Sequence, residues 1–177
     1  MEFDALIKER RSIRQYDPAK TVTADQISAI VTAAIEAPSW KNSQTARYHA
    51  VLSEEMRARF LQQCLPERNA KKAEHAALVV TTFVKGTAGF TQGQPDNECA
   101  DGWGFYDLGL HNALFLLKAK ELGLDTLVMG LRDAGAIRDL LKIPEEETIV
   151  SVIAVGYAAH PAVHPPRKST EDILKFY

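Results

Sequence analysis

The sequence has few cysteines and no familiar metal motif. Its two cysteines, Cys64 and Cys99, lie far apart and form no CxxC pair, whereas disulfide frameworks and zinc sites need several cysteines at characteristic spacings. His160 and His164 are four positions apart, but Pro161 lies between them and prevents a regular helix, and no HExxH motif is present. We therefore expect two free thiols and no metal site.

The sequence also lacks an excess of one charge and any long apolar run. It contains 21 Lys and Arg against 23 Asp and Glu, for a net charge of −2, so no general field would attract nucleic acid or an anionic membrane. No apolar run reaches the roughly 18 residues of a membrane span, and the first residues carry no apolar core of a secretion signal. We expect a cytoplasmic protein that binds neither nucleic acid nor membrane.

Two glycine signatures of common enzyme classes are missing. No GxGxxG follows a strand, so a Rossmann site for a tightly held dinucleotide is not supported. No GxSxG elbow is present to expose a nucleophilic serine. Catalysis by a side-chain nucleophile is therefore not expected.

Helical and strand patterns alternate along the chain without repeats. Thr23 and Gln26 form a capping box before an amphipathic helix that Pro38 ends. Four apolar segments predict strands, and they read RYHAVL, ALVVTTFV, DTLVMG and TIVSVIAVGY. With five or six helices, they predict a single α+β domain over residues 1–177, an α/β sandwich with one main sheet.

The middle of the sequence is the least regular part. Residues 85–104 contain five of the ten glycines, and the segment is too long for an ordinary connection, so we predict an irregular loop or lid. From Phe105 the sequence predicts the most apolar helix, with Gly123 suited to the position just after its end.

The segment ERRSIRQYD concentrates three arginines around a serine. If it is extended, Arg10, Ser12 and Arg14 face one side and Arg11 faces the other. Arginine forks and a serine hydroxyl suit the oxygens of a phosphate group. The plainer interpretation of this motif alone is a solvated basic face at a helix end.

Three further motifs carry polar groups suited to a ligand. In EAPSWKNSQ, hydroxyl and amide groups could bind the carbonyls and ring nitrogens of a heterocycle, although such loops commonly cap helices. In NAKK a lysine could lie over a polar ring edge, although the segment also reads as an ordinary exposed turn. In PPRKSTEDI an arginine and a lysine precede a serine-capped terminal helix and could add a second contact to the same phosphate.

In this order, the motifs resemble those of the nitroreductase family of flavin enzymes. The family's pattern is an R-x-S-x-R/K segment, a P-S-x-x-N-x-Q turn, an Asn-plus-Lys step, a D-x-G-x-x-x-N helix, a strand ending in Gly and a late R-K. Here they stand as Arg10/Ser12/Arg14, Pro38/Ser39/Asn42/Gln44, Asn69/Lys72, Asp107/Gly109 with Asn112 nearby, Met129/Gly130 and Arg167/Lys168. The resemblance covers essentially the whole chain.

The resemblance implies FMN bound at the interface of a homodimer, with both chains contributing to each active site. It also implies a central mixed sheet of about four strands plus one from the partner, with helices on both faces of an intertwined dimer. The implied cofactor-binding residues are Arg10, Arg11, Ser12, Arg14, Pro38, Ser39, Trp40, Lys41, Asn42, Gln44, Asn69, Lys72, Met129, Gly130, Arg167 and Lys168.

The resemblance assigns these residues to different parts of the cofactor. The phosphate would be bound from both ends of the sequence by Arg10, Ser12, Arg167 and Lys168. The ribityl chain and the pyrimidine side of the ring would be approached by Arg14, Asn69 and Lys72. The partner chain would contribute Pro38, Ser39 and Lys41. The backbone N–H of Gly130 would donate to flavin N5, because a glycine lets the backbone approach closely.

The implied activity is hydride transfer from NAD(P)H through flavin N5 to a nitroaromatic, a quinone or a similar small conjugated acceptor, by a ping-pong mechanism. The flavin performs the redox chemistry, so no side chain is required as a catalyst. Arg14 and Lys72 would stabilise the negative charge that develops near N1 and O2 of the ring.

Two departures from the family pattern leave substrate preference open. After Gln44 the family often continues with Pro and an aromatic residue, where this chain has TAR, and MGLRD lacks an acidic residue before the glycine. Trp103 and His111 are interpreted as packing residues, with a role at the site left open. Two other functions also stay open: different flavin chemistry (enone reduction, dehalogenation or heterocycle oxidation), or a non-enzymatic flavin carrier or redox sensor.

Overall fold

The structure is a computed structural model that describes residues 2–177. The α-helices are α1 (Phe3–Glu9), α2 (Ala24–Ala34), α3 (Glu54–Cys64), α4 (Glu67–Lys72), α5 (Gly102–Glu121), α6 (Ala134–Leu141) and α7 (Thr170–Ile173). The strands are β1 (Ala46–Val51), β2 (Ala77–Val84), β3 (Phe90–Thr91), β4 (Gln94–Pro95), β5 (Asp125–Met129) and β6 (Glu147–Gly156). Across residues 2–177, no helix has the length and apolarity that crossing a bilayer requires.

Local capping sets several helix ends. The Thr23 hydroxyl accepts from the Gln26 N–H while the Gln26 side chain accepts from the Thr23 N–H, so the predicted capping box is present at α2. Ser53 and Asp133 begin α3 and α6 in a similar way, each accepting from a backbone N–H three residues on. Gly123 follows α5 with a φ of +76°, the left-handed conformation predicted for that position.

The four long strands form one sheet in the order β1-β2-β6-β5, and all three pairings are antiparallel. A parallel bridge between Ser12 and Thr126 adds the segment after α1 to the β5 edge. The resemblance implied a mixed sheet. Among the described residues, the mixed character comes from this bridge, because the long strands themselves pair antiparallel.

Helices cover both faces of the sheet. On one face, Leu78 and Val80 of β2 belong to a core with Phe60 of α3 and Ile137 of α6. On the other face, the intervening Val79 packs in a core with α2 and α5. Because alternate residues of a strand point to opposite faces, one apolar strand supplies both cores. The predicted α+β sandwich is confirmed.

Three local features differ from the sequence prediction. NAKK lies in helix α4 instead of a turn, because Pro66 stands at the N-cap and its carbonyl accepts from the Asn69 N–H at 2.8 Å. The long helix α5 begins at Gly102, before the predicted start at Phe105. Residues 85–104 contain the short hairpin β3–β4 in addition to irregular backbone. We call residues 85–104 the lid segment.

The last part of the chain lies on the outside of the fold. Residues 160–177 are exposed throughout and include α7, which the predicted Ser169 cap begins. Five apolar side chains in this tail are more than two-fifths exposed, and they are Val163, Ile173, Leu174, Phe176 and Tyr177. Such a row of exposed apolar groups favours contact with another surface.

Candidate functional site

Five side chains from the two ends of the sequence line one cleft of about 370 Å³. They are Arg10, Arg11, Ser12, Arg14 and Arg167, and we call this site the arginine cleft. Apolar residues of the 160–177 tail supply the rest of its wall. The structure thus brings together the arginine segment and the PPRKSTEDI motif, which the sequence analysis linked only through a possible shared phosphate.

The arginine cleft holds like charges without a balancing carboxylate. Burial, together with the neighbouring charges of Arg11 and Arg167, lowers the pKa of Arg10 from its ordinary value. Of the carboxylates in residues 2–177, none forms a salt bridge with an arginine of the cleft. Arg14 and Arg167 instead donate from Nη1 to carbonyl oxygens of their own segments, at 3.3 and 3.2 Å. An anion would relieve the repulsion and satisfy the remaining donors.

Two buried side chains fix the arginine segment to the sheet. Ile13 is 5% exposed, and its N–H donates to the Thr126 carbonyl at 2.9 Å. Tyr16 is 4% exposed, and its hydroxyl donates to the Ile13 carbonyl at 3.2 Å. The Tyr16 ring lies against Gly156, where a Cβ would come within 2.6 Å of ring atom Cδ1. The segment that carries the cations of the cleft is therefore held against the sheet by well-packed, buried side chains.

The structure places the Arg11 side chain differently from the prediction that side chains alternate along an extended segment. An extended segment would have directed Arg11 away from Arg10, but both line the cleft. The reason is that Arg10 is still the C-cap of α1, with its N–H bonded to the Leu6 carbonyl, so a regular extended course begins only after it. The two arginines also interact directly, since the Arg11 guanidinium donates to the carbonyl oxygens of Arg10 and Lys8.

A second group of predicted site residues lies at the far end of β5. Asn69 is 8% exposed and donates from Nδ2 to the Leu131 carbonyl at 2.9 Å, which places it beside Gly130. A Cβ at Gly130 would meet no atom within 4 Å, so the space over its backbone is open. Met129 is 3% exposed, and its side chain belongs to the core, which leaves only its backbone for a ligand. From Thr126, where Ser12 pairs, to Gly130 the strand rises about 13 Å.

The two predicted lysines of this region occupy separate places. Lys72, in the last turn of α4, lines a neighbouring cleft with Gln15 and Tyr16 instead of the arginine cleft. Lys168 follows Arg167 in the exposed tail and does not line the arginine cleft. The structure therefore groups neither lysine with the arginines.

The remaining predicted site residues form the turn at residues 38–44, which we call the polar turn. Lys41, Asn42 and Gln44 all have positive φ, at 48°, 55° and 50°. The Ser39 hydroxyl accepts from the Gln44 N–H at 3.0 Å. The Trp40 N–H donates to the buried carboxylate of Asp107 at 2.8 Å, which ties the turn to α5. Pro38, exposed, precedes this compact loop.

The polar turn and the arginine cleft lie at opposite edges of the sheet. The turn leads directly into the edge strand β1, whereas Ser12 of the cleft pairs at the other edge strand, β5. Three strand spacings separate these edges, a distance of about 14 Å. Within one chain, the structure therefore does not bring the two groups together.

A known protein family matches most of this chain. The model of the nitroreductase family matches residues 7–157. The chain belongs to the nitroreductase family. The predicted resemblance is thereby confirmed, and the match includes every predicted site residue except Arg167 and Lys168.

Individual nitroreductase-family relatives agree with this assignment. The chain is 25% identical over 181 residues to MhqN of Bacillus subtilis (strain 168), provisionally named an NAD(P)H nitroreductase, and the match covers 88% of each chain. A nitroreductase family protein from Streptococcus pneumoniae TIGR4 has the same fold, with a TM-score of 0.85 at 18% identity over 99% of this chain and 100% of the other.

A third similar protein was crystallised with a cofactor. It is a provisionally named nitroreductase from Exiguobacterium sibiricum 255-15 in complex with FMN. Its TM-score to this chain is 0.82 at 21% identity, over 100% of this chain and 98% of the other. At this identity the likeness shows the fold of a nitroreductase and no more.

Sequence reasoning missed several residues around the polar turn. Asp96 accepts from the Trp40 indole and from Lys41, although 56 and 55 positions separate it from them. Thr91 and Asn97 of the lid segment join the same contact region. No local pattern could have identified them, because their partners are set by how the lid segment lies on the polar turn in this member of the nitroreductase family.

Proposed function

We propose that the protein is an FMN-dependent oxidoreductase that transfers hydride from NAD(P)H through flavin N5 to a nitroaromatic, a quinone or a similar small conjugated acceptor. FMN would supply the two-electron chemistry, while the protein holds and orients it. The observation that carries the proposal is the arginine cleft, because its clustered cations lack a carboxylate partner within the described residues.

The arginine cleft has the chemistry of a phosphate site. Guanidinium groups form paired, charge-assisted hydrogen bonds with phosphate oxygens, and a serine hydroxyl adds a short donor. Arg11 and Arg167 are close enough to Arg10 to contribute, after burial, to lowering its pKa. A dianionic phosphate would turn this repulsion into attraction, and Lys168, one residue from Arg167, would add to the local positive charge.

The opposite end of β5 has the features needed for a flat ring. The open space over Gly130 allows close approach to its backbone, whose N–H is the proposed donor to N5. Asn69, anchored on the Leu131 carbonyl, stands beside it. The rise of about 13 Å between Thr126 and Gly130 suits a long ligand with its phosphate at one end and its ring at the other. Arg14 and Lys72 would stabilise negative charge on that ring, through their fixed positive charges.

A homodimer would complete this site. The polar turn, with Pro38, Ser39 and Lys41, lies at the sheet edge opposite the arginine cleft, so a site that contains both needs two chains. The exposed apolar tail, residues 160–177, would pack on the partner and provide the extra strand implied by the resemblance. Sedimentation velocity tests this: a protein that remains monomeric with FMN bound contradicts the dimer.

The central helix offers a second surface for the partner. Phe105 and Tyr106 of α5 are 49% and 60% exposed, and Gly109 follows on the same face with no atom within 4 Å of its missing Cβ. A glycine inside a helix costs about 1 kcal/mol relative to alanine, and close approach of a second chain gives a reason for it.

The phosphate assignment is tested by the double substitution Arg10→Ala and Arg167→Ala. We expect the purified variant to have lost FMN, measured as flavin absorbance per protein after desalting, because both guanidiniums on the phosphate are gone. Arg59→Ala is the matched control, since Arg59 is an exposed arginine of α3 outside the cleft. A double variant that stays as yellow as the control would contradict the proposal.

The electron donor is tested by anaerobic mixing with NADH and with NADPH. Rapid bleaching of the bound flavin by either supports the proposed reductase. Bleaching only by another donor would favour different flavin chemistry, and a flavin that no donor bleaches would favour a carrier or a sensor.

A further inference from the structure

Both tryptophans of the chain meet where the lid segment lies on the polar turn. The sequence contains two tryptophans, and the ring centroids of Trp40 and Trp103 are 4.3 Å apart at an interplanar angle of 41°. Trp40 belongs to the polar turn and Trp103 to the first turn of α5 within the lid segment. Tyr106 packs edge-on against Trp103 at 5.6 Å, so three aromatic rings form one continuous group.

One carboxylate joins the lid segment to the polar turn. Oδ2 of Asp96 accepts from the Trp40 Nε1 at 2.9 Å and from the Lys41 Nζ at 3.0 Å. Oδ1 of Asp96 accepts from the Thr91 hydroxyl at 2.5 Å, and that hydroxyl oxygen in turn accepts from Lys41 at 2.7 Å. We call these four residues the Asp96 latch. Hydrogen bonds from Thr91 and Lys41 lower the pKa of Asp96, so the latch is charged at neutral pH.

Separate contacts hold each tryptophan in its own segment. Trp40 is fixed from the turn side, where its backbone N–H reaches Asp107 of α5. Trp103 is fixed from the lid side, where its Nε1 donates to the Asn97 side chain at 2.9 Å. Gly89 makes room for the Trp103 ring, because a Cβ there would lie 2.6 Å from ring atom Cδ1. The latch connects the Trp40 indole itself to the lid segment, in addition to the hydrogen bond that ties the Trp40 backbone to α5.

The position of the latch argues for a role in alignment over a role in folding. The side chains of the Lys41–Asp96 ion pair are 59% and 17% exposed, so the pair lies at the surface, where ion pairs contribute little to the stability of a fold because water screens them. The same contacts can still decide where a surface loop lies, since a loop has few buried contacts of its own.

We infer that Asp96 is a positioning residue: it latches the lid segment onto the polar turn and so aligns Trp40 and Trp103 as an aromatic wall of the acceptor pocket that favours flat conjugated acceptors. This inference rests on the proposed function, which puts the polar turn of one chain beside the FMN of the other. Aromatic faces stack on planar conjugated rings and offer less to compact non-planar acceptors.

Tryptophan emission tests the latch without any turnover. Asp96→Asn replaces one acceptor oxygen by a donor that faces the donors of Trp40 and Lys41, so we expect emission to shift to the red and acrylamide quenching to rise by about twofold in the full-length protein at matched flavin content. Glu98→Gln is the matched control, because it removes the same charge from an exposed neighbour in the lid segment. Asp96→Glu keeps the charge and should restore most of the original emission.

Kinetics test the aromatic wall. With Asp96→Asn we expect the KM for a planar naphthoquinone to rise by about fivefold, the size expected for one lost aromatic contact. The kcat for the quinone and both constants for ferricyanide, which has no ring to stack, should stay as in Glu98→Gln. This split between KM and kcat would not arise from a general loss of folded protein.

The outcomes separate the inference from the proposed function. Unchanged emission and quenching in Asp96→Asn overturn the latch. Altered emission with an unchanged KM for the quinone overturns the aromatic wall. A protein that binds no flavin, or whose flavin NAD(P)H does not reduce, overturns the proposed function instead, and the emission of Asp96→Asn still decides the latch.

Discussion

The arginine cleft and the Asp96 latch treat charge in opposite ways. In the cleft, Arg10, Arg11 and Arg167 lie together, and the pKa of Arg10 is lowered because burial and its neighbours disfavour its charge. In the latch, Asp96 and Lys41 form an ion pair, and hydrogen bonds from Thr91 and Lys41 lower the pKa of the carboxylate. The cations of the cleft therefore repel one another until an anion from outside the chain binds, whereas the charges of the latch already pair with each other.

This difference teaches how to separate a binding site from a structural contact. Both regions are rich in polar groups. The sequence analysis selected the arginine segment and the polar turn, which contributes Trp40 and Lys41 to the latch, as ligand-binding motifs, but not Thr91 or Asp96. Only the cleft leaves its cations without carboxylates, as far as the described residues show. The polar turn uses Ser39, Trp40 and Lys41 to hold its own shape and its neighbours, so what it can offer a ligand is mainly the surface that it positions.

Reversing one charge in the cleft should give the largest effect. We expect Arg10→Glu to weaken binding of FMN by about 100-fold or more, because it removes a guanidinium and adds an anion beside the phosphate. The melting temperature without FMN should hold or rise, since the new carboxylate faces Arg11 and Arg167. Calorimetric titration and thermal melts measure the two effects, with Arg59→Glu as the control. Equal losses of binding and stability would show that the cations serve the fold and not a ligand.

Crowding the lid segment should give the next largest effect. In Gly89→Ala, the Cβ would lie 2.6 Å from the Trp103 ring and 2.8 Å from the Ala100 carbonyl, at a φ of +81°. We expect a loss of unfolding free energy of about 1–3 kcal/mol, measured by urea denaturation. Gly93→Ala is the control: its φ is +76° but no atom lies within 4 Å, so it carries the backbone cost alone.

The Gly89 experiment also tests whether the two regions are independent. Affinity for inorganic phosphate should be the same in Gly89→Ala and Gly93→Ala, because the arginine cleft lies at the opposite edge of the sheet. Weaker phosphate binding in Gly89→Ala would show that the lid segment and the cleft are coupled, within one chain or across the proposed dimer.

The smallest expected effect concerns a buried carboxylate whose hydrogen-bond partners lie within the fold. Glu147, 7% exposed, accepts from the Thr82 hydroxyl and lies 2.7 Å from His49 Nε2. Burial raises the pKa of Glu147, but the hydrogen bonds from Thr82 and His49 outweigh it, so the pKa is lowered overall. A carboxyl whose pKa is lower in the folded state stabilises the fold above its unfolded pKa, near 4.3. It loses that stabilisation as the pH falls through the folded pKa.

Glu147→Gln should therefore flatten the acid limb of the stability curve. Below about pH 4, the slope of unfolding free energy against pH should fall by at most about 1.4 kcal/mol per pH unit, the limit for one proton. Urea denaturation at several pH values measures it, with the exposed Glu145→Gln as the control. Parallel curves for the two variants would mean that Glu147 binds its proton equally well in both states. Added phosphate should raise all of these curves alike, since it acts through the arginine cleft.

The parts of the fold that sequence could predict depend on local rules. The capping box at Thr23, the caps at Ser53 and Asp133 and the glycine after α5 all follow from contacts within a few residues. The strand Ala77–Val84 is buried along almost its whole length, and its run of apolar and β-branched residues gave it the predicted bounds.

The parts that sequence could not predict depend on distant contacts. Strand order decides that the polar turn and the arginine cleft stand at opposite edges, and no local pattern encodes it. Asp96 meets Trp40 and Lys41 only because the lid segment folds back. The predicted direction of the Arg11 side chain was wrong. Strict alternation holds only in an extended segment, and Arg11 directly follows Arg10, the C-cap of α1. The motifs of the site were visible in sequence, but their grouping was not.

The arginine cleft has a consequence for the order of events during synthesis. Arg10 emerges from the ribosome early, but Arg167 is added only after the whole sheet has been made. A phosphate ligand thus meets an incomplete set of cations until translation has passed the tail. If the cleft binds the FMN phosphate as proposed, the hydrophobic cores can form before the phosphate site is complete, and full binding of flavin would follow the synthesis of Arg167.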